Sequence, residues 1–338
     1  MALEGLFLSF PGRSRRARVE RLFATAAELN AHHGDRITDG WLLGARGYAA
    51  YYEGRFRDAR DSLVQAETSF AESIGTQWEL TAARYIRQFA EWRLGNLASI
   101  HREVPRLLAE ARDRGDLFQA TYVRLGFLNC AWLVDDNPDA ADDARKDAIA
   151  AWPRDRFMTV HWEELTADLH LRLYRGDAAA ALAHLEHQWR PLKSAFLLGI
   201  HPVRVEAWWM RARCLLAMAA DAGGDRRRQL IAAARKDSQR IVAERVPWTT
   251  AIGELIEAGA AAAAGELDVA VGRLERATTA FTGAEMTLMA TLARWRHGAL
   301  LGGDTGGELR RDAEAWLRGQ GIVAPARWAS MLAPGFAS

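Results

Sequence analysis

Lysine is nearly missing from this chain of 338 residues: of 44 basic side chains, only Lys146, Lys193 and Lys236 are lysines. Together with abundant alanine, that bias reads as the product of a GC-rich bacterial genome. Cysteine is as scarce. Cys130 and Cys214 are the only two, each inside an apolar helical stretch. This excludes a disulfide framework and points to two buried thiols in a reducing, cytoplasmic setting. Net charge is lacking too. The 44 basic and 43 acidic residues leave +1, so no global field draws the chain to nucleic acid or to an anionic membrane. No apolar run approaches the ~20 residues of a membrane span. The opening MALEGLFLSF is apolar, but Glu4 comes before its core and arginines follow it. A secretory signal has the reverse order, so this segment is expected to be a helix end or the edge of a larger array.

Catalytic signatures are also wanting. There is no G-x-x-x-x-G-K-[ST] phosphate loop, no H-R-D loop, no D-F-G and no G-x-S-x-G elbow. Neither cysteine has a histidine in a known nucleophile pattern. His184 and His187 are three apart and His161 precedes Glu164 by three, but neither pair completes H-E-x-x-H, and no zinc ligand set emerges. Glu163-Glu164 has the look of a solvated helix face. No catalytic residue, metal ligand or cofactor is assigned from the sequence.

What is present is punctuation. Gly54-Arg55-Phe56, Gly95-Asn96-Leu97, Asp136-Asn137-Pro138 and Gly176-Asp177-Ala178 are spaced by 41, 41 and 40 residues. After a longer interval come Gly223-Gly224, Gly265-Glu266 and Gly302-Gly303. A second series falls about 20 residues out of phase: Gly34, Gly75, Gly115, Gly199 and Gly283. Glycine reaches the left-handed conformation that ends a helix, and a following Asp, Asn or Thr helps to start the next. The spacing predicts helices of about 15 to 18 residues joined by tight turns. Between the breaks, apolar residues follow helical spacing; in 76–94, Trp78, Ala82, Tyr85, Ile86 and Phe89 form one stripe. Sustained apolar–polar alternation of the strand kind is absent. The expected fold is all-α: a single array over 1–338, with an entry region at 1–33, about seven antiparallel helix pairs at 34–320 stacked as an α-solenoid, and a tail at 321–338.

The pattern Gly47, Ala50, Gly54, Phe56, Ala59, Leu63, Ala66 resembles a tetratricopeptide repeat. Ala258, Ala261, Gly265, Leu267, Ala270, Leu274 and Ala277 match it again, and Gly176, Ala178, Ala181 and Leu185 match in part. The second copy is weaker, with Ile100 where alanine is expected. The period near 41 exceeds the usual ~34 and is similar to the longer-helix repeats of the maltose-regulon activator and related bacterial signalling ATPases. The ending AEAWLRGQGIVAPARWASMLAPGF looks like the carboxyl terminus of large bacterial serine/threonine kinases in which kinase and ATPase modules precede a repeat array. The resemblance covers array and tail only, and implies a sensor or docking module whose catalytic partners lie in another domain or chain.

In the tetratricopeptide register Trp41, Tyr48 and Tyr51, then Tyr85, Phe89 and Trp92, fall at positions that line the concave groove. Aromatics there could anchor a peptide or a ring-bearing ligand. In the same register Arg46 and Arg87 occupy positions that are normally apolar. A rotation of the longer helices would bury the aromatic stripe as core and turn Arg46, Arg84, Arg87 and Glu91 to the groove. Both readings stay open, and the groove candidates are therefore Trp41, Tyr48, Tyr51, Arg84, Tyr85, Arg87, Phe89 and Trp92. Two basic clusters, one of Arg13, Arg15, Arg16, Arg18 and Arg21, the other within 226–245, could meet phosphates. An acidic stretch from Asp135 to Asp147 opposes them, and solvated faces or contacts with another domain are the preferred reading. The expected partners are a protein, a peptide or a neighbouring kinase or ATPase domain, with a small-molecule effector as an option. A nucleic-acid regulator acting through 226–245 is the rival.

Overall fold

A computed structural model describes residues 1–11 and 15–336, and among these every regular element is helical. Arg13 of the first basic cluster and the tail's Ala337 and Ser338 lie outside the described residues. Helix α1 (Ala2–Ser9) and α2 (Arg16–His33) precede α3 (Arg36–Tyr52) and α4 (Phe56–Ala71), then α5 (Gln77–Leu94) and α6 (Leu97–Arg114). A broken segment follows: α7 (Leu117–Tyr122), a 3-10 turn at Gly126–Cys130, α8 (Ala131–Val134) and α9 (Pro138–Ala150). Next come α10 (Thr159–Tyr174) with α11 (Ala178–Ser194), α12 (His201–Asp221) with α13 (Gly224–Val242), and α14 (Pro247–Ala264) with α15 (Leu267–Gly283). The chain ends with α16 (Thr287–Leu301), α17 (Gly303–Gly319) and the short α18 (Pro325–Leu332).

Helices pack chiefly on their chain neighbours. The small residues of the quoted pattern make that possible. Ala59, Leu63 and Ala66 of α4 are fully covered, as are Ala270, Leu274 and Ala277 of α15, so adjacent helix axes approach closely. The turn at Gly54 has φ +79°, and Arg55 donates its backbone N–H to Ala50 O at 2.9 Å to close α3. A side chain at Gly54 would also overlap the indole of Trp248. That second constraint is not local: Trp248, in the first turn of α14, packs edge-on against Phe56 with ring centres 6.0 Å apart.

The late helices thus return onto the early ones. Helix α5 packs on α16, Arg57 pairs with Glu285 at 2.7 Å, and Gln320 accepts a hydrogen bond from Ala98 N at 3.2 Å. The space inside is taken by the chain's own end. Val323 N donates to Val134 O (3.0 Å), Trp328 Nε1 to Leu133 O (3.2 Å) and Arg296 Nε to Ala333 O (2.9 Å). Trp328, Met331 and Leu332 are buried. The tail is an internal strut rather than an appendage.

At two of the expected breaks the left-handed residue is not the glycine. The turn predicted at Gly199 is made by Phe196 (φ +58°), and the one predicted at Gly283 by Glu285 (φ +59°). Between the expected breaks at Gly115 and Asp136 the helix is not continuous: α7 ends at Tyr122 and a 3-10 turn begins at Gly126 (φ +59°), where a side chain would overlap Glu163 Oε2 from α10.

Candidate functional site

On the inner side of α3 and α5, spacing of three and four residues sets Tyr48, Tyr51 and Tyr52 on one stripe, and Ala82, Tyr85, Phe89 and Arg93 on the next. The interruption at Gly126 turns Phe127 toward them. Phe118 and Tyr122 of α7, Trp162 and Glu163 of α10, and Val203 and Glu206 of α12 complete the wall. With Thr159, Leu197, Ile200 and Pro202 they line a half-open cavity of about 220 Å³. Trp78, 60% exposed, stands at its rim. Neighbouring rings meet tilted or edge-on: Tyr85–Phe89 at 4.4 Å, Tyr85–Tyr122 at 4.8 Å and Phe89–Phe127 at 5.3 Å.

Charged groups lie in this aromatic wall. Arg93 pairs with Glu206 at 3.0 Å, and Arg213 reaches the other oxygen of Glu206 at 3.3 Å. The Arg93 guanidinium sits 4.7 Å from the Phe127 ring centre and 5.1 Å from that of Trp248. Its Nε and Nη1 are buried, and the guanidinium lies against ring systems and near the Tyr51 hydroxyl. Glu163 is 6% exposed. Burial pushes its carboxyl up to about 8, with the Tyr85 hydroxyl opposing and the Glu206 carboxylate adding to the rise. Its sequence neighbour Glu164 pairs with Arg145, but no ion pair reaches Glu163 among the described residues. Burial also raises the Tyr51 and Tyr85 hydroxyls and takes Tyr122 up to about 12. It drives His170 well below its ordinary value, helped by Arg213 and Arg93. Tyr48 donates its hydroxyl hydrogen to Ala82 O (3.0 Å).

Of the residues singled out by the sequence, Tyr48, Tyr51, Tyr85 and Phe89 line this cavity. Trp92 does not; it stacks on Phe127 (5.4 Å, 16°) and meets Trp328 of the tail (5.9 Å). Trp41 packs edge-on against Phe70, away from the cavity. Arg84 and Arg87 lie outside this cavity as well. Arg87 bridges Glu67 of α4 (2.5 Å) and Glu103 of α6 (2.8 Å), and Arg84 reaches Glu67 and Glu110 at 3.7 and 3.5 Å. Glu91, the remaining member of that set on α5, turns to Asn96. Tyr51 and Phe89 are buried and also line the half-open cavity. Arg16 and Arg18 meet Glu20, Glu53 and Glu4. In the 226–245 cluster, Arg228, Arg235 and Arg240 are paired with Asp225, Glu257 and Asp237.

Glu163, Arg93 and Glu206 were not marked by the sequence. Glu163-Glu164 read as a solvated pair, whereas Glu163 is buried. The available signal was a charge set inside an otherwise apolar helical run, as in Phe89-Ala90-Glu91-Trp92-Arg93-Leu94 and Val205-Glu206-Ala207-Trp208-Trp209. Among the described residues, no group of three or more His, Cys, Asp or Glu side chains is arranged to hold a metal ion. Comparison of the chain with family models, with curated proteins and with solved structures gave no match.

Proposed function

We propose that the chain is a non-catalytic, ligand-sensing binding module: a tetratricopeptide-like α-solenoid of about seven pairs, with a period near 41 residues, whose inner cavity takes a small effector. Its setting would be bacterial signal transduction, with a kinase or ATPase as the partner that hears the result, as the resemblance of repeat and tail implies. The observation that carries the reading is the composition of the cavity wall. Five separate stretches, α3, α5, the α7 region, α10 and α12 with the segment just before it, each contribute side chains to one half-open volume. A molecule bound there favours the arrangement in which all five are in place, and so biases the curvature of the array. The wall is apolar and aromatic with few polar groups, as is usual for small-molecule sites.

The test is thermal melting of the chain against a panel of small amphiphiles and short peptides, with ATP hydrolysis measured in parallel. Some members should raise the melting temperature of the parent but not that of Val203→Trp, whose larger side chain fills the cavity. No hydrolysis should exceed the buffer rate. Stabilisation that survives in Val203→Trp would place binding elsewhere, and stabilisation by no member would overturn the reading.

A further inference from the structure

We infer that the cavity recognises a small organic cation, an amine or quaternary ammonium group on a compact apolar body, with its charge at the Glu163 carboxyl and its body among the surrounding rings. The inference rests on the ligand-sensing reading above and names the chemistry of the ligand.

The charge inventory of the wall carries it. Glu206 is spoken for by Arg93 and Arg213, and Glu164 by Arg145. Glu163 alone among these carboxyls lines the cavity without a cationic partner. The fold makes room for it: Gly126, at φ +59°, is the position where any side chain would overlap Glu163 Oε2. Tyr85, Phe89, Phe127 and Trp162 line the same cavity, and aromatic side chains beside a carboxyl are the kind of wall that desolvates and holds alkylammonium groups. An anion has less to meet. Arg93, the cation in the wall, is already engaged by Glu206, and its guanidinium lies 4.7 and 5.1 Å from the Phe127 and Trp248 ring centres. The cation replaces a proton: with the proton on Glu163, or with the proton gone and the cation beside it, the net charge of the cluster is the same.

That exchange gives the experiment its signature. The groups facing Glu163 are Tyr85 and Arg93 of α5, Tyr51 of α3, Tyr122 of α7 and the ion-paired Glu206 of α12. The tyrosines are raised and Arg93 is raised, so Glu163, pushed up to about 8, is the group that yields its proton near neutral pH. Calorimetry on the full chain would use choline and benzyltrimethylammonium as cations, the uncharged carbon isostere of choline, and the anion of tert-butylacetic acid. At pH ~7, run in two buffers of different ionisation enthalpy, a cation should bind with release of about one proton, and the uncharged isostere should bind at least about tenfold more weakly. Glu163→Gln, close in shape to the protonated acid, should keep its melting transition, lose about tenfold or more in cation affinity and release no proton. Val203→Trp should abolish binding. Equal affinity for cation and isostere, unchanged cation affinity in Glu163→Gln, or no binding of either cation would overturn the inference. Preferential binding of the anion or the isostere, lost in Val203→Trp, would overturn it while leaving the ligand-sensing reading standing.

Discussion

Glu163 and the two histidines nearest the interior set opposite pH slopes on the stability of one fold. Native Glu163, pushed up to about 8 from an ordinary 4.5, keeps a proton that the unfolded chain has already released. Its contribution is therefore fully present below about pH 4.5 and is lost as pH rises through about 8. His201 runs the other way. Burial holds it neutral down to about 4 from an ordinary 6.5, so stability falls as pH drops through that window, and His170 adds in the same direction. The two windows overlap between about pH 4.5 and 6.5, where the slopes oppose, so stability should fall away on either side of that overlap. Glu163→Gln has no proton to lose. Its melting temperature should equal the parent's near pH ~5 and exceed it near pH ~8.5; parallel curves would show that Glu163 titrates normally in the native state. Trp92 is a simpler case. It is 4% exposed and wedged between Phe127 and Trp328, so Trp92→Ala should cost about 3–5 kcal/mol in urea unfolding, as buried aromatic truncations do. A cost under ~1 kcal/mol would mean that Trp92 is not packed as described.

At the scale of the helix, the turns decide. Gly54→Val must adopt φ near +79°, which disfavours a β-branched residue, and must also displace Trp248. The backbone term alone is about 1–3 kcal/mol, and the lost Phe56–Trp248 contact adds to it. Unfolding of Gly54→Val should be at least that much easier than that of the parent; equal stability would refute both the conformation and the contact. Much of this level was legible in the chain. Gly34, Gly54, Gly75, Gly95, Gly115 and Gly176 all take positive φ at or beside helix ends, because the left-handed cap is a local requirement that glycine meets at no steric cost. What was not legible had distant causes. The place of a side chain at Gly126 is taken by a carboxyl on α10, and the direction of Arg87 is set by Glu67 and Glu103 on two other helices. The candidate site was half legible for the same reason. Periodicity placed Tyr48, Tyr51, Tyr85 and Phe89 on inner faces, but nothing within one helix reveals that Glu163 lacks the ion-pair partner that Glu164 has.

Over the whole molecule, the contacts that matter most join residues far apart in the chain: Trp248 to Phe56, Gln320 to Ala98, and the tail to everything around it. Stacked helix pairs gain stability pair by pair from their neighbours, but here the last segment also fills the interior. Ile322, Trp328, Met331, Leu332 and Phe336 are buried there. At roughly 1.5–3 kcal/mol for each large apolar side chain, their burial is on the order of 10 kcal/mol. That is comparable with the whole net stability of a typical domain, about 5–15 kcal/mol. Removal would in addition strip partners from Leu133 O, Val134 O and the buried Arg296. A chain ending at Gln320 should therefore lose its cooperative melting transition and bind a hydrophobic dye, while keeping much of its helical circular dichroism from neighbour-to-neighbour packing. Trp328→Ala in the full chain should fall between the two, with a sharp but lowered transition. Trp328 of the tail meets Trp92, which stacks on Phe127 of the cavity wall, so the truncated chain should also lose any ligand that the parent binds, and a synthetic peptide of residues 321–338 added in trans should restore both transition and binding. A truncated chain that melts as sharply, and as high, as the parent would show that the tail only covers the interior and does not hold it together.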